Sequence, residues 1–203
     1  MLEIRNLACT RGDHLLFFDL NFTLNAGEVL QVQGVNGSGK TTLLRTLCGM
    51  VTPTVGQINW SGKNIQYLGA EYYAKMIYLG HLNALKDELS AVENMNFSAG
   101  LAGCKVDDEQ IRAALQHMGL RGRETLPVKA LSQGQSRRVA LARLLIGHFP
   151  LWILDEPLTA LDVGAVQLIQ ELIATHLARN GMVIYTTHQP LEVVGVTTRR
   201  LTL

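Results

Sequence analysis

A glycine-rich segment, preceded by a strand pattern and followed by a helix pattern, is the strongest constraint on the fold. Residues 34–41 read Gly-Val-Asn-Gly-Ser-Gly-Lys-Thr and match G-x-x-x-x-G-K-S/T, a loop that cradles nucleotide phosphates. Residues 28–33 predict a strand that runs directly into the glycines, and residues 40–48 predict a helix ended by Gly49. A true phosphate-binding loop needs this order of elements, so a turn that binds nothing is the weaker interpretation.

The chemistry of this loop assigns a role to its side chains. Glycines let backbone N–H groups approach phosphate, and the following helix directs its positive end to the same place. We expect Lys40 to reach the β- and γ-phosphates, Thr41 to ligate Mg²⁺, and Thr42 to donate on the α-phosphate side. The predicted nucleotide-binding residues here are Gly34, Val35, Asn36, Gly37, Ser38, Gly39, Lys40, Thr41 and Thr42.

An acidic pair, Asp155-Glu156, follows a short apolar run that predicts a buried strand over 151–154. Ligands of open α/β sheets bind beyond the carboxyl ends of the strands, where Asp155 emerges and is suited to hold Mg²⁺. Glu156 points elsewhere in the strand alternation and is suited to orient or deprotonate an attacking water. Such a pair can also simply cap a strand beside Pro157, but the phosphate loop upstream favours catalysis.

Alternating strand and helix patterns predict an α/β fold with a parallel core sheet. Further strands are predicted at 2–7, 17–24, 55–60, 76–79, 182–185 and 200–203, with antiparallel strands on the N-terminal side. Helices are predicted at 133–146 and 163–177, and a mostly helical insert lobe at about 83–130. We expect one domain over 1–203 that contains this lobe.

The order of the motifs resembles the ATPase subunit of ABC transporters over nearly the whole chain. The resemblance implies an α/β P-loop NTPase of ABC ATPase type with a mixed sheet core, and ATP and Mg²⁺ as cofactors. It implies that two subunits pair head to tail, so that the signature of one subunit closes the ATP held by the other. The signature residues are Ser132, Gln133, Gly134 and Gln135, with Ser132 expected to cap a helix whose start offers a second anion site.

Further roles follow from the same resemblance. Asp162 corresponds to a loop that crosses the dimer interface, and His188 to a switch histidine that contacts the γ-phosphate and the attacking water. Lys40, Glu156 and His188 are then the catalytic residues. Metal ligation is expected from Thr41 and Asp155.

Three positions depart from the common pattern of the family. Gln133 stands where glycine is usual, and Arg11 stands where an aromatic ring normally stacks on adenine. A guanidinium can also stack on a ring face, so Arg11 stays a candidate ATP-binding residue. His81 stands where a glutamine usually links Mg²⁺ to the membrane partner, and it is the third candidate metal residue.

Local stretches narrow the resemblance to the CcmA subfamily, the ATPases of bacterial cytochrome c maturation and haem export. These stretches are residues 8–12, 78–81, 85–86 and 89–94, and the early end after His188 fits the same subfamily. The implied partners are a second ATPase subunit and multi-spanning membrane subunits of the CcmB, CcmC and CcmD types, at the cytoplasmic face of the inner membrane. No Cys-x-x-Cys-His is present, so no direct haem binding is expected.

Composition limits the alternatives. The 203 residues carry 18 Lys and Arg against 17 Asp and Glu, a net charge of +1. A charge this small does not attract nucleic acid, so no nucleic acid is expected as a partner. No apolar stretch approaches the roughly 18 residues that a membrane span needs, and no signal peptide is visible, so a cytoplasmic chain is expected. One ATPase unit without a basic excess disfavours an ABC protein that acts on ribosomes or DNA, and the signature disfavours a GTPase switch. An ABC exporter or importer of unknown cargo is the runner-up.

Overall fold

The computed structural model describes residues 1–193 and 195–203, which form two β-sheets and seven α-helices. The strands are β1 (Leu2–Arg11), β2 (His14–Leu24), β3 (Val29–Gln33), β4 (Val55–Trp60), β5 (Lys63–Asn64), β6 (Met76–Leu79), β7 (Leu151–Asp155), β8 (Met182–Thr186) and β9 (Arg199–Thr202). The helices are α1 (Lys40–Leu47), α2 (Ile65–Leu68), α3 (Ala70–Tyr73), α4 (Ala91–Leu101), α5 (Asp108–His117), α6 (Gln133–Ala142) and α7 (Val163–Ala178).

The two sheets differ in strand direction. One is antiparallel, with the strand order β2-β1-β4-β5, and the other has the order β6-β7-β8-β3-β9 with parallel pairing throughout. The predicted α/β class is confirmed, and the N-terminal antiparallel part forms a sheet of its own. In the parallel sheet, β3, β8 and β7 are neighbours, so their carboxyl ends meet at one edge.

Alternate residues of β7 face two different hydrophobic cores. Leu151 and Ile153 belong to a core shared with α1 and the antiparallel sheet, whereas Trp152 and Leu154 pack with the helices of the insert lobe. Successive side chains of a strand point to opposite faces, so the parallel sheet lies between the two cores. Asp155 has the parity of Leu151 and Ile153, and its side chain therefore lies on the face that α1 covers.

Several boundaries differ from the sequence prediction. The first two strands extend to a tight hairpin at residues 11–14, and the helix predicted over 133–146 leaves α-helical geometry after Ala142 for a 3-10 turn at Arg143–Leu145. The helical lobe predicted at about 83–130 contains two α-helices, α4 and α5, because Gly103 has a positive φ of 67° and Asp107 begins α5 with a capping box. The short elements β5, α2 and α3 were not predicted, since two to four residues show no periodicity.

No helix among the described residues combines the length and the apolar character required to cross a bilayer.

Candidate functional site

The glycine loop joins β3 to α1 through residues with positive φ. Gly34, Gly37 and Gly39 have φ values of 148°, 85° and 98°, in the range that favours glycine. A Cβ on Gly34 would lie 2.6 Å from Ser38 Oγ and 2.9 Å from the carbonyl oxygen of Leu203, so the site has no room for a side chain there. The loop is thus folded tightly enough that its backbone, rather than its side chains, forms the surface next to Lys40.

The ammonium group of Lys40 lies over this loop. Its Nζ donates to the carbonyl oxygens of Gly34 at 2.9 Å and of Val35 at 3.0 Å. Lys40, Gly34 and His188 also line a common cavity of about 420 Å³ at the edge of the parallel sheet. A positive charge therefore faces this cavity beside the amino end of α1, where an anion is favoured.

The hairpin of β1 and β2 lies against the same loop. A Cβ on Gly39 would lie 3.0 Å from Leu16 Cβ and 3.4 Å from Phe17 Cδ1, which shows how closely β2 approaches. Arg11 ends β1 at the tip of this hairpin, where it is exposed and pairs with His14. Arg11 is thus exposed at the tip of the hairpin whose second strand contacts Gly39.

Asp155 ends β7 and is buried, with only 2% of its surface exposed. Its Oδ1 accepts a hydrogen bond of 2.7 Å from the hydroxyl of Thr186, the residue paired with it on β8. Its Oδ2 is buried and has no hydrogen-bond partner among the described residues. An unpaired buried carboxylate oxygen is costly, so this atom is free to take a cation or a donor brought by a ligand.

Glu156 follows in a left-handed conformation with φ of 50°, which turns the chain sharply away from the strand. Its backbone N–H donates to the Thr186 hydroxyl at 3.0 Å, and its Oε2 accepts from the backbone N–H of His188 at 3.3 Å. The imidazole Nε2 of His188 lies 3.5 Å from Glu156 Oε1. The structure therefore brings the two residues together as a carboxylate–imidazole pair beside Asp155.

The expected metal residues do not form a protein cage. Among residues 1–193 and 195–203, no three His, Cys, Asp or Glu side chains are grouped closely enough to hold a metal ion. Mg²⁺ is usually held by one or two carboxylates together with substrate phosphates, and the free Oδ2 of Asp155 fits that requirement. Thr41 lies in the first turn of α1, whereas His81 is exposed in the loop after β6.

The signature segment begins α6 through a capping box. Ser132 Oγ accepts from the backbone N–H of Gln135 at 3.3 Å, and the Gln135 side chain accepts from the N–H of Ser132 at 3.0 Å. Gln133 is exposed, and Gly134 is partly exposed. A Cβ on Gly134 would lie 2.6 Å from the carbonyl oxygen of Ala160, so glycine is required here by packing within the chain.

Asp162 caps the amino end of α7, where its Oδ1 accepts from the N–H of Ala165 at 2.8 Å. Its Oδ2 forms an ion pair with Arg138 of α6. The signature helix and the loop carrying Asp162 are therefore held together within one subunit, both by this pair and by the approach of Ala160 to Gly134.

Two residues near the acidic pair were not predicted from the sequence. Thr186 is fully buried and bonds to both Asp155 and Glu156. Arg137 is 3% exposed, and its guanidinium donates to the backbone of the same turn. Thr186 could have been predicted only from the strand register, which places it opposite Asp155 and is not known from the sequence. Arg137 could not have been predicted, because its place in a basic run does not indicate that it is buried.

Three features together define an ATP-binding cassette. They are a glycine loop with a lysine, an Asp–Glu pair with a buried aspartate at the end of a strand of the same sheet, and a capped signature helix. The model of the ABC transporter family matches residues 17–159. A putative ABC transporter ATP-binding protein from Pyrococcus furiosus superposes with a TM-score of 0.84 at 29% identity, covering 98% of this chain and 96% of that one. The cassette MJ0796, solved as a dimer with ADP and Pi, has a TM-score of 0.82 at 22% identity over 93% and 88% of the two chains.

Curated relatives narrow the class. A CcmA protein of Nitrosospira multiformis is 55% identical over 202 residues, covering 100% of this chain and 98% of that protein. A CcmA protein of Nitrosomonas europaea is 56% identical over 203 residues, covering 100% and 95%. Both are described as cytochrome c biogenesis ATP-binding export proteins. The chain belongs to the ABC transporter family and, within it, to the CcmA subfamily.

Proposed function

We propose that this chain is the ATP-hydrolysing subunit of a membrane complex for cytochrome c biogenesis, which powers haem export or the release of a haem-loaded chaperone. The observation that carries the ATPase part is the meeting of Lys40, Asp155, Glu156 and His188 at one edge of the parallel sheet. The cytochrome c part rests on the names of relatives that are about half identical over the whole chain.

Nucleotide binding is assigned to the glycine loop and the start of α1. Backbone N–H groups of residues 34–42 surround the phosphates, Lys40 contacts the β- and γ-phosphates, and Thr42 donates on the α-phosphate side. Arg11 offers its guanidinium face to the adenine, because its hairpin lies beside the loop. Residues 1–203 then act as one ATP-binding domain with a helical lobe at about 83–130.

Mg²⁺ ligation is assigned to the Thr41 hydroxyl and to Asp155, whose buried Oδ2 has no partner among the described residues. Mg²⁺ held there would neutralise the negative charge that develops on the phosphate during transfer. The Thr186 hydroxyl donates to Asp155 Oδ1 and so keeps the second carboxylate oxygen oriented away from β8. His81 is exposed in the loop after β6, and we expect it to contribute through a water molecule bound to the metal.

Water activation is assigned to Glu156 and His188. A carboxylate beside a metal and phosphate site can orient an attacking water and take its proton. His188 Nε2 lies 3.5 Å from Glu156 Oε1 and can hold the same water or the γ-phosphate. The positive φ of Glu156 points its carboxylate out of the strand alternation, toward His188 rather than back into the core.

A head-to-tail dimer would complete two such sites. The amino end of α6, with the N–H of Gly134 and the hydroxyl of Ser132, offers anion-binding donors that the nucleotide of the same subunit does not use. The second copy would bring these donors to the γ-phosphate, and Asp162 would cross the interface. MJ0796, which shares the fold, was solved as a dimer.

Membrane attachment is assigned to a groove between the parallel sheet and the insert lobe, lined by Met50, Tyr73, Phe97 and Leu101 and enclosing about 520 Å³. All four side chains are exposed, and a contiguous apolar surface of this kind favours a protein partner. We assign it to multi-spanning subunits of the CcmB, CcmC and CcmD types, at the cytoplasmic face of the bacterial inner membrane. Haem is carried by those partners and not by this chain.

Membrane fractionation tests this attachment. We expect the chain to sediment with membranes when a CcmB-type partner is co-expressed and to stay in the supernatant without it. Leu101→Asp should lower the membrane-bound fraction, because a charge in the groove opposes burial. Tyr67→Asp is the matched control, since Tyr67 is 90% exposed outside the groove. Sedimentation that is independent of the partner would contradict the proposal.

His81→Gln tests the departure from the usual glutamine. We expect most ATPase activity and most cytochrome yield to remain, because either side chain can bond a water near Mg²⁺. Phosphate release and cytochrome yield are measured together, with His117→Gln as an exposed control. If His81→Gln abolishes coupled function and leaves basal hydrolysis intact, an imidazole is needed at this position and the expectation is wrong.

A further inference from the structure

We propose that Arg137 is a positioning residue for ATP hydrolysis, which holds the backbone of Glu156 in its working conformation and ties it to the loop carrying His81. Arg137 touches neither the phosphate loop nor the reacting atoms. The inference rests on the proposed role of Glu156 and adds the residue through which that role is set.

The Arg137 side chain forms hydrogen bonds to two separate segments of the chain. Nη2 donates to the carbonyl oxygens of Asp155 at 3.1 Å and Glu156 at 2.8 Å, and Nε donates to that of Pro157 at 3.2 Å. Nη1 donates to the carbonyl oxygen of Gly80 at 2.9 Å and to Asn83 Oδ1 at 3.1 Å. One guanidinium therefore joins three consecutive carbonyls of the catalytic turn to the loop that follows β6.

The match between donors and acceptors is complete. A guanidinium has five N–H donors in a fixed planar arrangement, and Arg137 makes five hydrogen bonds. Because a buried polar group without a partner is costly, full satisfaction favours one orientation of the side chain over any other. A lysine would bring the charge but could not reproduce this geometry.

The turn that Arg137 holds has a backbone conformation that needs support. Glu156 adopts a φ of 50°, which is unfavourable for a residue with a Cβ. Such conformations persist only where surrounding contacts over-determine them. Arg137 supplies such contacts by donating to the carbonyl oxygens of Asp155 and Glu156. Thr186 supplies another, because its hydroxyl accepts from the backbone N–H of Glu156.

The charge of Arg137 acts in the same place. Burial lowers the pKa of the guanidinium, and the negative charges of Asp155 and Glu156 oppose that change by raising it. All five acceptors are neutral oxygens, so none of them neutralises the positive charge of Arg137. That charge therefore stabilises the negative charges of Asp155 and Glu156.

Arg137 also connects the acidic turn to the loop after β6. His81 lies between Gly80 and Asn83, the two residues of this loop that accept bonds from Arg137. A shift of that loop changes the partners of Nη1, and the rigid guanidinium carries the change to the carbonyls bonded by Nη2. The position of the His81 loop is thereby connected to the turn that orients Glu156.

Arg137→Met is the first test, with steady-state ATPase and nucleotide affinity measured on the full chain. We expect kcat to fall by about 100-fold, the effect of a small misplacement of a catalytic group. The dissociation constant for ATP should change by less than about threefold, because the phosphate loop is not touched. Arg143→Met is the matched control, since Arg143 is a partly buried arginine at the carboxyl end of the same helix, and this variant should keep wild-type kcat.

A double-mutant cycle with Asn83 separates positioning from general destabilisation. Asn83→Ala removes one acceptor and should lower kcat by about threefold to tenfold in the wild type, but not further in the Arg137→Met background. Additive effects, or a loss of kcat that follows a lowered melting temperature in both variants, would overturn the proposal. If Arg137→Met does not fold, Arg137→Lys is used, and wild-type kcat in that variant would be equally decisive against it.

Two variants distinguish the role of Glu156 from that of Arg137. If Glu156→Gln keeps wild-type turnover, the role proposed for Glu156 is wrong. If Glu156→Gln lowers turnover as expected while Arg137→Met retains wild-type kcat, that role stands and the positioning by Arg137 is wrong.

Discussion

Glu156→Gln is expected to retain ATP binding while turnover falls by about two to four orders of magnitude, the usual contribution of a general base. The amide keeps the shape of the side chain, and the backbone contacts of Glu156 to Thr186 and Arg137 do not involve the carboxylate. The change therefore removes the proton acceptor beside His188 without disturbing the turn. Phosphate release and nucleotide affinity are the measurements, with Glu109→Gln as an exposed control on α5.

The same variant reports on pairing between subunits. ATP that is bound and not hydrolysed should bridge the glycine loop of one copy and the Ser132–Gly134 donors of the other. Light scattering with ATP and Mg²⁺ should then give twice the mass seen without nucleotide. Wild-type turnover would refute the role of Glu156, and a variant that stays monomeric with ATP would refute the head-to-tail site.

Lys40→Ala should have an effect of similar size through a different step. Lys40 supplies the positive charge of the glycine loop, and removing one preorganised donor from developing charge costs about 100-fold to 1000-fold in turnover. Because the lysine also contacts the ground-state phosphates, we expect weaker ATP binding as well, unlike in Glu156→Gln. The pair of variants thus separates loss of binding from loss of chemistry.

The controls for Lys40→Ala must separate loss of nucleotide contact from a disturbed conformation of the glycine loop. Lys40 Nζ bonds to the carbonyl oxygens of Gly34 and Val35, so the alanine also removes two contacts within the chain. Lys40→Arg keeps a donor there, and Lys105→Ala removes an exposed lysine elsewhere. A melting temperature near that of the wild type, together with unchanged hydrolysis, would show that Lys40 is not at the nucleotide.

The parts of the fold that the sequence predicted are those with strong local patterns. The strands β4 and β6 and the helix start after Ser132 agree with the prediction. The turn residues Ser61-Gly62 mark the end of β4, an apolar run marks β6, and a capping serine marks the helix. The elements β5, α2 and α3 were missed because two to four residues carry no period. The position of Asp155 at the carboxyl end of β7 agrees with the prediction. The apolar run before it marks a buried strand, and ligands of open α/β sheets bind beyond the carboxyl ends of such strands.

The contacts around the acidic pair were beyond sequence reasoning. That Thr186 bonds to Asp155 depends on the register between β7 and β8, which are separated by a whole helix in the chain. That Arg137 reaches Gly80 depends on how α6 packs beside the carboxyl end of β6, 57 residues earlier in the chain. In both cases the chemistry follows from distant segments brought together, for which the residue types alone give no signal. Likewise, Gly134 was predicted for anion binding, and its contact with Ala160 became visible only with the loop in place.

The most direct test of the whole proposal is the yield of c-type cytochromes in cells whose only copy of this protein carries Lys40→Ala. Covalently attached haem is measured in strains with the wild type, Lys40→Ala and Lys105→Ala, with equal protein levels checked by immunoblot. We expect c-type cytochromes to be lost in Lys40→Ala and retained in Lys105→Ala, while cytochromes with non-covalent haem remain in all three. A normal yield of c-type cytochromes in Lys40→Ala would contradict a role for ATP hydrolysis by this chain in cytochrome c biogenesis.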